Sequence, residues 1–491
     1  MLKKARLSTQ AIFFLLFLWL FFETKSRGAD ELGYPVKVFI DADPLLFIVT
    51  SLAARAIDAF PYLTLAVVVM TIFLGRVFCG WICPLGTLHN LVGVFNRRLP
   101  RFSRLNWFWI KYALLVFLIV SALFSLNLSG IFDPISLIVR SFSVAVYPAL
   151  IYAVSPLLKT VDSSGVVFPV ADLFFREGFF IGALFLSILA LNLVEKRFWC
   201  RYLCPLGALL GLFSRYAVLK RTVSEGCNNC GLCEENCPGG TSKAECLVCG
   251  DCDDLCPRDA VHFSFGFSRG KVELNLSKRR LTGAVLMGVI LPPLLRLSPA
   301  GKPSAANEKL IRPPGSVEEG EFLQRCVRCG ECMKVCLTNG LQPTFLEAGV
   351  TGIWTPVLVP RIGYCEFRCT LCGQVCPTGA IKRLTQAEKK QVKIGIAVID
   401  TARCLPYAYG IPCIVCEEVC PTPKKAIWLT EETIQLRSAK EVTLKRPHVD
   451  PFLCVGCGIC EAKCPVLSHP AIYVSSIGES RAKAKQFLLG D

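Results

Sequence analysis

The chain has 491 residues, 53% of them hydrophobic, with a mean hydropathy of +0.49, which is high for a soluble domain and points to membrane spans. The formal net charge of +16 would by itself suit nucleic acid, but the basic residues flank apolar runs in the positive-inside manner, so a bilayer and not nucleic acid is the expected partner. Twenty-eight cysteines stand against four histidines, and the lack of Cys-x-x-Cys-His, of a Walker A loop and of Gly-x-Gly-x-x-Gly after a strand argues against c-type haem, ATP and NAD.

The first apolar run, Ala11 to Phe22, follows the basic start Lys3, Lys4 and Arg6. No small-residue cleavage site follows it, so it reads as a retained span rather than a signal peptide. Further apolar runs lie at about 59–75, 107–126 and 174–194, near the ~20 residues a bilayer requires. This half repeats itself. Asp43-Pro44-Leu45-Leu46-Phe47-Ile48-Val49 matches Asp133-Pro134-Ile135-Ser136-Leu137-Ile138-Val139, and an apolar span ending in Cys-x3-Cys-Pro-Leu-Gly follows each, at Cys79/Cys83 and at Cys200/Cys204.

Residues 141–158 are apolar enough to pass for another span, which would put the two cysteine pairs on opposite faces. Arg97, Arg98, Arg101 and Arg104 follow the first pair, and Lys196, Arg197, Arg201, Arg215, Lys220 and Arg221 surround the second. Both pairs are therefore expected on the cytoplasmic face, with the Asp-Pro segments as interfacial or re-entrant helices on the outer side. The expected fold is a membrane α-helical bundle of four spans in two repeats, over residues 1–221, plus α+β ferredoxin-like domains.

Residues 222–270 are polar and cysteine-dense and read as a two-cluster ferredoxin domain. Residues 277–298 begin with Ser277-Lys278-Arg279-Arg280 and read as a fifth span or a retained export-signal-like segment. A linker is expected over 299–315 and a four-cluster ferredoxin domain over 316–491.

Cys227-x2-Cys230-x2-Cys233-x3-Cys237-Pro has the bacterial ferredoxin spacing, and Cys246-x2-Cys249-x2-Cys252-x3-Cys256-Pro repeats it at once. Three thiolates on one tight loop grip three irons of a [4Fe–4S] cube, and the fourth cysteine reaches the other cluster. Cys227, Cys230 and Cys233 are thus expected to pair with Cys256, and Cys246, Cys249 and Cys252 with Cys237. Zinc sites use paired knuckles rather than this doubled run, and disulfides do not call for such spacing.

Four more groups follow: Cys326/Cys329/Cys332/Cys336, Cys365/Cys369/Cys372/Cys376, Cys404/Cys413/Cys416/Cys420 and Cys454/Cys457/Cys460/Cys464. The inner two have stretched first gaps, and Leu337 stands where the first would carry proline. Six clusters use all the cysteines but Cys79, Cys83, Cys200 and Cys204. These sit at the same end of duplicated spans, where pseudo-symmetry could bring them together around a seventh cluster; a redox-active dithiol pair or a transient metal site are the alternatives. His89, six residues after Cys83, is a weak candidate for binding a quinone, and a lone imidazole there better suits an ordinary interfacial histidine. No catalytic acid, base or nucleophile stands out.

The doubled Cys-x3-Cys-Pro-Leu-Gly and the ferredoxin pair resemble the NapH/MauN membrane ferredoxins, relatives of the NosR-type polyferredoxins. The second half resembles the NapG/MauM four-cluster ferredoxins through Ile311-Arg312-Pro313-Pro314-Gly315, Cys326-Val327-Arg328-Cys329-Gly330 and Ile414-Val415-Cys416-Glu417-Glu418-Val419-Cys420-Pro421. The chain thus looks like a fusion of the two partners. The resemblance implies that outer groups share clusters, Cys464 completing the first group and Cys336 the fourth, while Cys420 completes the second and Cys376 the third. Arg279-Arg280 sit where NapG-type proteins carry a twin-arginine signal, so the last domain is expected in the periplasm and the first ferredoxin domain in the cytoplasm, with the chain multi-pass in a prokaryotic inner membrane. The implied function is electron transfer between the quinone pool and a redox protein: quinol oxidation, in the manner of a quinol dehydrogenase component, feeding a periplasmic cytochrome or reductase. A ferredoxin:quinone oxidoreductase with a cytoplasmic ferredoxin as donor, and a maturation or regulatory factor for another metalloenzyme, are the alternatives.

Overall fold

The computed structural model of the chain describes residues 2–28, 30–57, 61–93, 107–161, 173–266, 277–297, 307–435 and 441–481. The arginines at 97, 98, 101 and 104, on which the topology reading partly rests, lie outside them.

The first part is a helical bundle. Its helices are α1 (Leu2–Glu23), α2 (Pro44–Ala54), α3 (Tyr62–Leu74), α4 (Pro84–Gly93), α5 (Trp109–Leu123), α6 (Pro134–Ser141), α7 (Gly178–Ala190) and α8 (Pro205–Ser214). By length and composition, Leu2–Glu23 and the continuous helical stretch Pro134–Ser155 could each cross a membrane; the other apolar helices of the bundle are shorter.

The repeat seen in the sequence is a repeat of helix starts. Asp43 caps α2 by accepting from the Leu45 and Leu46 N–H groups at 2.8 and 3.1 Å, with Pro44 in the first turn. Asp133 caps α6 in the same way, accepting from Ile135 and Ser136 at 3.0 and 2.8 Å, with Pro134 next. Proline there gives up only an N–H that no helix bond would use, and a carboxylate satisfies two orphan donors. The two capping side chains meet each other, fully buried.

Polar contacts fix which end of the bundle each helix faces. At its start, Arg6 of α1 pairs with Asp251 at 3.1 Å, in the first ferredoxin domain. Just beyond the other end of α1, the Thr24 carbonyl accepts from Lys334 at 2.6 Å, in the C-terminal domain. Helix α3 runs from the C-terminal-domain end, where Thr64 bonds Asp41 O, to Gly75, against Val248. Helix α5 runs the opposite way, from Lys111 beside Glu245 to Asn127, which bonds Gln324 O at 2.8 Å. Phe174, just before α7, accepts from Asn339 at 2.6 Å, and α7 leads to Cys200 at the far end. The two ferredoxin domains therefore sit at opposite ends of one bundle.

At the start of residues 141–158, Arg140 bonds Arg328 O at 3.1 Å and Tyr147 lies 5.3 Å from the Lys334 ammonium, so this part faces the C-terminal domain, and the helix runs on from Tyr147 to Val161. The segment after the first ferredoxin domain is a helix, α9 (Lys278–Leu297). It runs parallel to α5, with Arg280 over the Trp109 ring at 4.5 Å and Gly288 against Val120. It thus leads the chain from one end to the other. The expected linker ends early: Leu310, Ile311 and Arg312 are already buried in the last domain.

In the first ferredoxin domain an antiparallel strand pair, Leu219–Val223 with Val261–Phe265, brackets all eight cysteines. The C-terminal domain is two units in tandem. In the first, a Ser316–Ile381 bridge closes around groups one and two, with Leu341–Pro343 paired to Pro356–Leu358 between them; in the second, Ile396–Ile399 pairs with Ile472–Ser475 around groups three and four. A longer hairpin, Ile427–Gln435 with Glu441–Val449, projects from the second unit.

Candidate metal centres

Each regular cysteine loop folds alike. The residue before its second cysteine and the glycine after it both have positive φ: 55° and 75° at Asn229 and Gly231, 51° and 75° at Val248 and Gly250, 55° and 81° at Arg328 and Gly330. Such a run turns successive backbone N–H groups inward to make an anion-binding concavity, as an iron–sulfur cube with four thiolates requires. The stretched groups have Thr370 and Ile414 in place of the glycine, at φ −120° and −130°.

In the C-terminal domain the cysteines line four cavities of similar size, with empty volumes of about 380, 400, 390 and 340 Å³. The first is lined by Cys326, Cys329, Cys332 and Cys376, and the second by Cys365, Cys369, Cys372 and Cys336. The third is lined by Cys404, Cys413, Cys416 and Cys464, and the fourth by Cys454, Cys457, Cys460 and Cys420. Four thiols around one hollow suit a cubane cluster.

The sharing of fourth cysteines differs from the expectation. Cys464 does not join the first group, nor Cys336 the fourth, nor Cys420 the second, nor Cys376 the third. Consecutive groups exchange their last cysteine instead, one with two and three with four. The strand brackets explain it: groups three and four are closed inside one unit by Ile396–Ile399 and Ile472–Ser475, so Cys464 reaches its bracket-mate's cavity and not the first group's.

In the first ferredoxin domain Cys237 lies within electrostatic reach of Cys246, Cys249 and Cys252, the set expected. Cys256 is bonded by its own turn, accepting from Ala260 N–H at 3.2 Å, and among the described residues no hydrogen bond joins it to Cys227, Cys230 or Cys233. Burial pushes the thiol of Cys246 up to about 11, and those of Cys369 and Cys416 up to about 12, with like-charged neighbours adding to it. Such thiols are protonated at neutral pH, so binding iron must release their protons.

The duplicated Cys-x3-Cys segments come together at the bundle end that carries the first ferredoxin domain. Cys83 lies within reach of Cys200 and Cys79, and Cys204 within reach of Cys200, Cys79 and Cys83. Each pair is set on one π-helical turn, Phe78–Ile82 and Trp199–Leu203, closed by Cys83 N–H to Phe78 O and Cys204 N–H to Trp199 O, both 2.9 Å. Cys83 and Cys204 then begin α4 and α8. The Cys204 sulfur accepts from Gly207 N–H at 3.3 Å, and a helix N-terminus favours a thiolate.

Sequence reading missed two arginines here. Arg76 and Arg197 precede Cys79 and Cys200 by three residues, and both are buried. Each crosses to the other repeat. A Cβ on Gly207 would lie 2.6 Å from Arg76 Nη2, and one on Gly86 would lie 2.8 Å from Cys79 O and 3.9 Å from Arg197 Nη1. The glycine of Cys-Pro-Leu-Gly leaves that room. The signal was present as Arg-x2-Cys in both repeats. Arg197 and Arg201 had been counted as surface charge, but they are buried, Arg201 pairing with Glu195 at 2.8 Å. His89 is also buried; its Nδ1 meets the Asn192 amide, whose oxygen accepts from Arg197 N–H. This makes it a support behind Arg197.

These loops and cavities are those of 4Fe–4S proteins. Models described as 4Fe–4S binding domains match residues 60–101 and 177–224, which contain the two Cys-x3-Cys pairs, and residues 447–467, which contain the last group. The chain is 39% identical over 175 residues to the methylamine utilization ferredoxin-type protein MauM of Methylorubrum extorquens, covering 35% of this chain and 74% of that one. It is 37% identical over 166 residues to the ferredoxin-type protein NapG of Escherichia coli, covering 33% and 69%. YccM of Escherichia coli, named for electron transport, is 31% identical over 185 residues, covering 36% and 45%. The chain belongs to the MauM/NapG ferredoxin-type family, whose match spans about a third of its length. No solved structure matches it significantly.

Proposed function

We propose that the chain is a multi-pass protein of a prokaryotic inner membrane that carries electrons on iron–sulfur clusters between the quinone pool and a redox protein, in the direction of quinol oxidation feeding a periplasmic cytochrome or reductase. The observation that carries this reading is the placement of two cysteine-rich domains at opposite ends of an apolar bundle. Helix α1, at 22 residues, is about 33 Å long, and a hydrocarbon core is ~30 Å thick. Helices α1, α3, α5, α7 and α9 lead from end to end, and of these α1 and α9, at 22 and 20 residues, approach that length.

In this reading residues 1–270 are a NapH/MauN-type unit fused to the NapG/MauM-type domain. The matches at 60–101 and 177–224 and the likeness to YccM support it. Six clusters occupy the ferredoxin-type quartets, and Cys79, Cys83, Cys200 and Cys204 hold a seventh. The clusters supply one-electron steps; the protein sets their spacing, burial and charge. Gln10, which bonds Gly80 O at 2.6 Å, and Thr24, at the C-terminal domain, are separated by helix of about 21 Å. Tunnelling falls steeply with distance, so a lipid-soluble carrier is the natural bridge. His89 Nε2, buried without a protein partner, is the polar atom available to a quinone headgroup near the inner quartet. The opposite-end arrangement favours a periplasmic last domain over the ferredoxin:quinone alternative.

The test is to purify the protein anaerobically, reduce it with dithionite, remove the excess, and add a menaquinone analogue while following cluster absorbance. Rapid reoxidation, slowed by a quinone-site inhibitor and by Cys79→Ser, is expected. No reoxidation in lipid, with clusters intact by iron count, would refute the quinone reading.

A further inference from the structure

The second and fourth cysteine groups of the C-terminal domain are neighbours in space, although the third separates them in the sequence. Cys365 N–H donates to Cys457 O at 2.8 Å, and a Cβ on Gly458 would lie 2.8 Å from Pro360. The two units of the domain therefore meet where these two quartets meet. A short helix, Gln386–Gln391, leads the chain into the joint. Thr385 caps it, and Glu388 turns back to accept from the Thr385 N–H at 2.8 Å. Just beyond, Ile394 N–H donates to Val455 O at 3.1 Å, inside the loop of the fourth group.

Lys389 lies on this helix and is 4% exposed. Its ammonium faces thiols: Cys365 and Cys372 of the second quartet, and Cys457 of the fourth. Two acids stand near the second quartet, Glu366 by Cys365 and Asp30 by Cys369. Both are half-buried and already accept from backbone, Glu366 from Phe367 N–H at 3.1 Å and Asp30 from Thr370 N–H at 2.6 Å. Lys393 faces Cys454 but donates to Pro451 O at 2.9 Å.

The first ferredoxin domain repeats the arrangement. Arg221, on the strand Leu219–Val223, donates from Nη2 to the Cys233 sulfur at 3.1 Å, and it also faces Cys252 and Cys246 of the next loop. Among the described residues neither Lys389 nor Arg221 has a carboxylate within 4.0 Å. Arg140 and Arg328 differ, since the thiols they face, Cys326 and Cys329, belong to one quartet. Reduction adds one negative charge to a cluster. A cation between two clusters stabilises that electron on either of them, and burial limits its screening by water and salt.

We propose that Lys389 and Arg221 are each shared by two quartets, raising both midpoints of the pair together and so keeping an electron free to pass between them. At Lys389 this passage joins the two units of the C-terminal domain. Each passage oxidises one cluster by one electron and reduces its neighbour by one, with no bond made or broken. The proposal rests on reading the quartets as clusters, and is independent of the quinone.

The test is a redox titration of the anaerobically purified full chain, followed by paramagnetic resonance, with iron counted first. Lys389→Gln and Lys389→Met should each lower two midpoints, those whose signals Cys336→Ser and Cys420→Ser alter. The expected change is tenfold in each one-electron equilibrium, about 59 mV. Lys389→Arg should keep both midpoints, and Lys390→Gln, exposed on the same helix, should move none. Arg221→Gln should lower two others, by less, because Arg221 is only half-buried. Unmoved midpoints in both uncharged Lys389 variants, or a shift in one cluster alone, would overturn the proposal. So would loss of iron from those variants, because Lys389 would then hold the fold and not the potentials. An unmodified chain that binds no iron would refute the reading of the quartets, and the proposal with it.

Discussion

The Arg76 guanidinium meets the Glu245 carboxylate at 2.7 Å, across the boundary between the bundle and the first ferredoxin domain. Lys111 pairs with the same carboxylate and the Tyr112 hydroxyl donates to it at 2.6 Å. Arg76 precedes Cys79 by three residues and Glu245 immediately precedes Cys246, so one buried network ties two cysteine sites together.

Glu245→Gln leaves two buried cations without a counter-charge. Breaking a buried pair from one side costs about 3–5 kcal/mol. The variant should melt earlier, and limited proteolysis should cut sooner within residues 224–266. An unchanged melting curve would show that the network does not hold the domain.

Arg197 donates to Cys79 O at 3.3 Å and faces Cys200 and Cys83 with no carboxylate opposite. Its charge favours the oxidised quartet less than the reduced one, since reduction adds negative charge. With the proposed seventh cluster in place, Arg197→Gln should lower its midpoint by roughly 60 mV, a tenfold change in a one-electron equilibrium. Arg76→Gln should do less, because Glu245 already offsets Arg76. Redox titration followed by paramagnetic resonance measures both.

The cysteine loops of this site are legible in the sequence. Cysteine spacing alone defines the loops, because three thiolates on a tight turn have one natural use. The repeated Asp-Pro segments fixed the helix starts, because a capping carboxylate and proline act locally. What spacing could not reveal is which cavity a fourth cysteine enters. Cys376 and Cys464 are placed by pairings between residues far apart in the chain, Ser316 with Ile381 and Ile396–Ile399 with Ile472–Ser475. Nor could charge counting separate Arg197 and Arg201, which serve buried carbonyls and carboxylates, from solvated flanking charge.

The exchange of Cys376 has a direct genetic test. Cys326 and Cys376 line one cavity, whereas Cys326 and Cys464 line two. Removing both ligands of one cluster should cost about four irons, and removing ligands of two clusters about eight. Cys326→Ser with Cys376→Ser should therefore lose half as much iron as Cys326→Ser with Cys464→Ser. The reverse ranking would restore the outer-group pairing.

Arg312, from the Ile311-Arg312-Pro313-Pro314-Gly315 motif, forks onto Glu319 at 2.6 and 3.1 Å, and Arg481 adds a third contact at 2.9 Å. Although burial raises it, these two guanidinium groups hold the Glu319 carboxyl down at about 2, from 4.5. A lowered folded-state value stabilises above the unfolded value, and that gain is lost as pH falls from about 4.5 towards 2. Glu319→Gln should cost about 3 kcal/mol at pH 7, with the deficit shrinking below pH 4.5. Denaturant melts of the two proteins across that range check it; a pH-independent difference would contradict the assignment.

The most direct measurement is the iron and acid-labile sulfide content of the anaerobically purified chain beside Cys79→Ser/Cys200→Ser. With all 28 cysteines in quartets of four, the account predicts about 28 irons and 28 sulfides per chain, falling to about 24 in the variant. A full-length, folded protein holding no more than 24, unchanged by the variant, would contradict it.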